Sequence, residues 1–174
     1  IASTLDADLF ELEPADPYTD EDLDYYSGGR ADQEQDDPAA RPAISGSVQN
    51  IEQYDTVLLG YPIWHGSMAT PMQSFLHEHA GKLAGKRIAL FATSGSSGIS
   101  ASAGEARSLC PDATVIERAL LLTSSTLPQM EGRISAWLDE IGAVREEPDT
   151  PDASSLKVNI STGDRTITAT MEDN

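Results

Sequence analysis

Two uninterrupted apolar runs, Thr56-Val57-Leu58-Leu59-Gly60-Tyr61 and Arg87-Ile88-Ala89-Leu90-Phe91-Ala92, constrain this chain more than any other feature. A strand with one wet face alternates apolar and polar residues. A run that is apolar at every position needs cover on both faces, the condition of an inner strand of a parallel sheet. Each run is followed by a helical pattern. After the first, Thr70 can cap a helix, Pro71 suits its first turn, and Met72, Phe75, Leu76 and His79 recur at helical spacing. After the second, a helix closes near Leu109-Cys110-Pro111. A third strand at residues 114–117 leads into Ala119-Leu120-Leu121-Leu122. The last helix covers residues 127–141, with Ile134, Trp137, Leu138 and Ile141 as its inner stripe and Gly142 closing it. Strands alternating with helices at this spacing predict an α/β fold built on a doubly wound parallel sheet.

The flanks are read less directly. Residues 1–5 look like the tail of a helix, and residues 7–14 alternate apolar and acidic residues up to Pro14, as a strand with one wet face does. Residues 15–47 are acidic and broken by Gly28-Gly29, Pro38 and Pro42, which predicts a long surface connection with room for one short helix. Residues 146–154 read as a linker. Beyond it Leu156, Val158 and Ile160 alternate with polar residues, Thr162-Gly163-Asp164 signals a turn, and Ile167, Ala169 and Met171 alternate again. That pattern predicts a β-hairpin over residues 155–174, beside a main domain at residues 1–145.

Charge narrows the partners. The formal net charge is −18, from 29 acidic and 11 basic residues. Such a surface argues against nucleic acid, whose phosphates need a basic face, and suits either a basic protein partner or solubility in high salt. Cys110 is the single cysteine, which excludes an internal disulfide and reads as a small buried residue. No stretch approaches the roughly 20 apolar residues of a membrane helix, so the expected location is the cytoplasm. The chain opens on Ile1 rather than Met, so no leader can be read from it.

In a parallel α/β sheet, ligands bind where strand ends turn into helices. Two segments at that edge have unusual compositions. In the first, Pro62, Ile63, Trp64 and His65 precede Gly66; the indole offers a flat apolar face on which a planar tricyclic ring would stack, and the glycine lets the backbone approach. The bland alternative packs Trp64 under the next helix. The second, Thr93, Ser94, Gly95, Ser96, Ser97 and Gly98, exposes backbone amides before a helix start and suits an anion or the polar edge of a heterocycle. His65 could hydrogen-bond such a ring or gate a substrate. His77 and His79 point to different helix faces and read as structural. Ser94, Ser96 and Ser97 have no identifiable His-Asp set, which makes a hydrolase a poor reading, and the carboxylates lack metal-ligand spacing.

Together, residues 7–14, Tyr54-Asp55 through Tyr61-Pro62-Ile63-Trp64, Thr93-Ser94-Gly95-Ser96-Ser97-Gly98 and Leu109-Cys110-Pro111 resemble the flavodoxin-like family of small bacterial flavin mononucleotide (FMN) proteins, over about residues 1–142. The resemblance implies FMN as cofactor, with Pro62 to His65 and Thr93 to Gly98 flanking its ring. It also implies electron transfer, or reduced-nicotinamide-linked quinone or flavin reduction, with a redox protein or small quinone-like molecule as partner. A cofactor-free module that binds another protein is the alternative. Family members open with a central strand and a phosphate-wrapping loop, and this chain opens after both. Either that segment precedes Ile1 in the native protein, or the strand Lys157-Val158-Asn159-Ile160-Ser161 fills the gap, in its own chain or across a homodimer. Residues 156–174 separately resemble the opening hairpin of the bacterial cyclophilin-like barrel family, whose activity is not carried over.

Overall fold

The computed structural model describes residues 1–24 and 26–143, together with the backbone of Thr166–Thr170. In chain order the elements are α1 (Ala2–Leu5), β1 (Asp8–Glu11), β2 (Glu13–Pro14), α2 (Arg30–Asp36), β3 (Ile44–Ser45), β4 (Thr56–Trp64), β5 (Ser67–Met68), α3 (Thr70–Leu83), β6 (Arg87–Thr93), α4 (Ser100–Leu109), β7 (Thr114–Val115), β8 (Leu120–Leu122), α5 (Met130–Glu140) and β9 (Thr166–Thr170). The two apolar runs become β4 and β6, paired in parallel from Thr56↔Arg87 to Pro62↔Thr93. The sheet runs β1-β9-β4-β6-β7, and β8 lies parallel on β6 beyond β7. The predicted third strand is therefore one position in two pieces. Where it breaks, the Arg118 carbonyl accepts a hydrogen bond from the Trp137 indole N–H at 2.7 Å.

Side chains of β4 alternate between two cores, which is why its sequence is apolar throughout. Val57, Leu59 and Tyr61 pack with Met72, Phe75 and Leu76 of α3 and Ala103 and Ala106 of α4. Leu58 packs on the other face with Ala89, Leu120, Trp137, Leu138 and Ile141, and α1 adds Ile1 and Leu5. Helices thus cover both faces, as a doubly wound sheet requires. Each fully buried Leu or Phe contributes about 1.5–3 kcal/mol, so these two layers supply most of the drive to fold. His79 is buried and stacked on Phe75 at 4.6 Å between ring centroids, a packing role, while His77 is exposed on another face of α3.

Cys110 is buried, and burial pushes its thiol up to about 11. A thiol that is both neutral and inaccessible does not attack. Dithionitrobenzoate at pH 8 should therefore leave the native protein unlabelled over the time in which it fully labels the urea-unfolded chain. Labelling of native protein at the unfolded rate would contradict this packing.

The C-terminal segment departs from expectation. Thr166–Thr170 does form a strand, but it lies between β1 and β4 and is parallel to both, with Ile167 opposite Asp8 and Val57. Both of its edges are occupied, so it has none left for the antiparallel limb of the predicted hairpin. The place between β1 and β4 is taken by this strand; residues 157–161, expected there, lie outside the described residues, along with the linker at 146–154. Residues 15–47 are also more ordered than a surface connection: they carry α2, with Ala31 buried, and β3, which pairs antiparallel with β2.

Candidate functional site

The first predicted loop is mostly not a loop. β4 continues through Trp64 and turns back as a hairpin, Trp64 opposite Ser67 and Ile63 opposite Met68. The two turn residues, His65 at φ 50° and Gly66 at φ 82°, are both left-handed, the requirement of the tight turn whose twist matches a two-residue hairpin. Helix α4 clamps this hairpin. The Glu105 carboxylate accepts the Ser67 hydroxyl on one oxygen and the Met68 amide at 2.9 Å on the other. The Met68 carbonyl accepts the side-chain amides of Gln35 at 2.9 Å and Gln73 at 2.8 Å. The short strand is thereby saturated and held from three helices.

The second loop is folded around Ser94. Its amide donates to the Leu122 carbonyl at 3.0 Å, and its hydroxyl accepts the Ser97 amide at 2.9 Å. The two loops meet, since a Cβ placed on Gly66 would stand 4.0 Å from the Ser97 hydroxyl. Between their bases lies a pocket of about 280 Å³ lined by Pro62, Ile63, Thr93, Ser94, Gly95, Leu122, Thr123, Ser124 and Leu127. Its walls are apolar where Pro62, Ile63, Leu122 and Leu127 stand, and hydroxylic where Thr93, Ser94, Thr123 and Ser124 do.

Five of the ten residues singled out from sequence line this pocket. Trp64, His65, Ser96, Ser97 and Gly98 belong to the same two segments but stand outside its lining. Trp64 is half-buried and meets the Tyr18 ring edge-on, 5.0 Å between centroids at 75°. His65 Nδ1 lies 2.9 Å from an Asp32 carboxylate oxygen. The third wall, Leu122 to Leu127, was not anticipated. Its signal was present: Thr123-Ser124-Ser125-Thr126 is hydroxyl-rich and follows a strand end, the same position that drew attention to the other two. That loop holds its own shape, because the Thr126 hydroxyl accepts the Thr123 amide at 2.7 Å and lies 3.0 Å from the Thr123 carbonyl.

The chemistry of the lining is that of a binding slot. It holds hydroxyls and main-chain groups but no carboxylate, imidazole, amine or thiol, so nothing in it moves a proton readily at neutral pH. The phenol of Tyr61, next to Pro62 in β4 but not in the lining, is buried, and burial pushes it up to about 12, which keeps it neutral. Among the described residues no cluster of His, Cys, Asp or Glu could hold a metal ion, and no helix is long and apolar enough to cross a membrane.

The family described as Flavodoxin matches residues 1–141. The chain belongs to the flavodoxin family. The crystal structure of a protein assigned as a flavoprotein from Bacteroides eggerthii is 35% identical with a TM-score of 0.69, over 81% of this chain and 85% of that one. A second such protein, from Bacteroides uniformis, is 30% identical with a TM-score of 0.67, over 77% and 85%. A Lactobacillus acidophilus flavoprotein solved in complex with FMN, 20% identical at a TM-score of 0.49 over 69% and 77%, is too remote to carry an argument. No curated relative matches the chain. The match to the flavodoxin family ends at residue 141, and it lends no support to a cyclophilin-like segment beyond it.

Proposed function

We propose that this flavodoxin binds FMN with the ring in the slot between the ends of β4, β6 and β8, and serves as a redox protein, either an electron carrier or a reductase linking a reduced nicotinamide to a quinone or flavin. The pocket of about 280 Å³ supports this reading most. It is near the low end of small-ligand sites, about 300–1,000 Å³, which suits a flat ring whose side chain extends beyond it. The lining fits the ring by chemistry. Pro62, Ile63, Leu122 and Leu127 suit its hydrocarbon edge, while the hydroxyls and amides near Ser94 and Gly95 suit its carbonyl and N–H edge. Trp64 at the hairpin tip would cover the ring from the side.

FMN supplies one- and two-electron chemistry when bound, and the protein's part is to orient the ring, exclude water and set its potential. A surface of net charge −18 makes further negative charge at the site less favourable, which lowers the potential at low salt.

Quenching of FMN fluorescence on titration with the protein tests the reading. Gly95 lines the pocket, and a Cβ there meets nothing within 4 Å, so Gly95→Ala is tolerated by the fold and adds a methyl to a residue of the pocket wall. Its unfolding free energy from urea titration should change by less than about 0.5 kcal/mol while FMN affinity falls about tenfold. Trp64→Ala should weaken FMN about fivefold through lost aromatic contact, about 1 kcal/mol. Wild-type protein that leaves FMN fluorescence unchanged at high micromolar concentration would turn the assignment toward a cofactor-free module that binds another protein.

A further inference from the structure

Trp64 owes its place to a residue far from it in sequence. Residues 15–24 are mostly exposed, but Tyr18 within them is half-buried, as are Asp22 and Leu23, and it is fixed from several sides. The Arg30 guanidinium stacks 4.0 Å from the centre of its ring. Its hydroxyl donates to the Glu34 carboxylate and lies 3.4 Å from the Thr70 hydroxyl, which itself donates to the same Glu34 oxygen at 2.9 Å. Arg30 is held in turn by the side chain of Asp16 and, at 2.8 Å, by its carbonyl. So ordered, the Tyr18 ring meets the indole of Trp64 edge-on at 5.0 Å. The hairpin tip is gripped a second time where Asp32 of α2 reaches His65 at 2.9 Å. A half-buried tryptophan at the end of a strand, beside a two-residue turn, would otherwise sample several rotamers, and a binding wall is only as precise as the shell behind it.

We propose that Tyr18 is a positioning residue of the flavin site: its ring, locked between Arg30 and the Glu34–Thr70 pair, sets the orientation of Trp64 and so makes the acidic arm before α2 part of the binding apparatus. This rests on the FMN reading above, and the test separates the two. Protein labelled with 5-fluorotryptophan gives one fluorine resonance for each of the two tryptophans, assigned with Trp64→Phe. In flavin-free protein Tyr18→Ala should move the Trp64 resonance toward the solvent-exposed position and leave that of Trp137, buried on the far side of the sheet, in place. FMN affinity should fall about fivefold, and Tyr18→Phe, which keeps the ring, should restore both readouts to within about twofold of wild type. If Tyr18→Ala also disturbs the Trp137 resonance, Tyr18→Leu replaces it under the same criteria. The proposal is overturned if the Trp64 resonance stays put, or if it moves while FMN affinity remains within twofold of wild type. Wild-type protein that binds no FMN defeats the functional reading, and the flavin-free spectra still decide whether Tyr18 orients the indole.

Discussion

Ala169→Pro lowers the stability of this fold by about 3 kcal/mol or more, seen as a large drop in the urea midpoint. Ala169 lies mid-strand in β9, opposite Phe10 on one side and Leu59 on the other. A strand paired on both edges has no free N–H, so proline removes a ladder hydrogen bond wherever its ring is aimed, and the ring itself pushes a neighbour away. Ala169→Gly keeps the N–H and should cost no more than about 1 kcal/mol, which separates the hydrogen-bonding effect from backbone entropy. A proline variant as stable as wild type would mean that residues 166–170 do not lie between β1 and β4 in solution.

Gly60→Val sets propensity against geometry. Valine is among the best strand formers, and on that ground alone the change would help an inner strand. Gly60, however, sits opposite Phe91 on β6, and a Cβ at that position would come within 2.2 Å of the ring. The ring lies over the glycine and also meets Trp137 at 5.9 Å, so moving it disturbs the packing of α5. Loss of about 3 kcal/mol is expected, at the upper end of ordinary overpacking. In a Phe91→Ala background the same substitution should cost far less, and that coupling in a double-mutant cycle is the signature of the clash. Simple additivity of the two changes would place the cause elsewhere.

The inner half of the fold was legible because β4 and β6 are buried on both faces and their sequences have no other purpose. Thr70, Pro71 and the Met72–Phe75–Leu76–His79 stripe marked α3 for the same reason: caps and stripes are local signals. What depends on distant partners was not legible. Ile167 and Ala169 announced a strand, but alternation does not say which edges a strand will find, and a nearby turn signal suggested an antiparallel neighbour where two parallel ones stand. The hairpin tip was read as a loop because His65 tolerates a left-handed backbone without announcing it, unlike an Asn-Gly pair. At the site, strand-end logic found Pro62, Ile63, Thr93, Ser94 and Gly95, all of which line the pocket. Leu122 to Leu127 carries a weaker signal, because its first leucine continues the apolar run of β8, as a core strand does. Tyr18 could not have been found: nothing in an acidic stretch tells which aromatic will be folded back onto a tryptophan so far along the chain.

Chain order carries a consequence for how the molecule is made. The inner strand between β1 and β4 comes from late in the sequence, and Asp8 must wait for Ile167 before its backbone is paired. On a ribosome the pair β4 and β6 can form early with α3 and α4, while β1 remains an unmatched ribbon until more than a hundred further residues have emerged. Contacts that span nearly the whole chain are slow to close. Until they do, the nascent protein presents two open backbone edges, on which any extended peptide can lodge. A net charge of −18 opposes contact between such half-built copies.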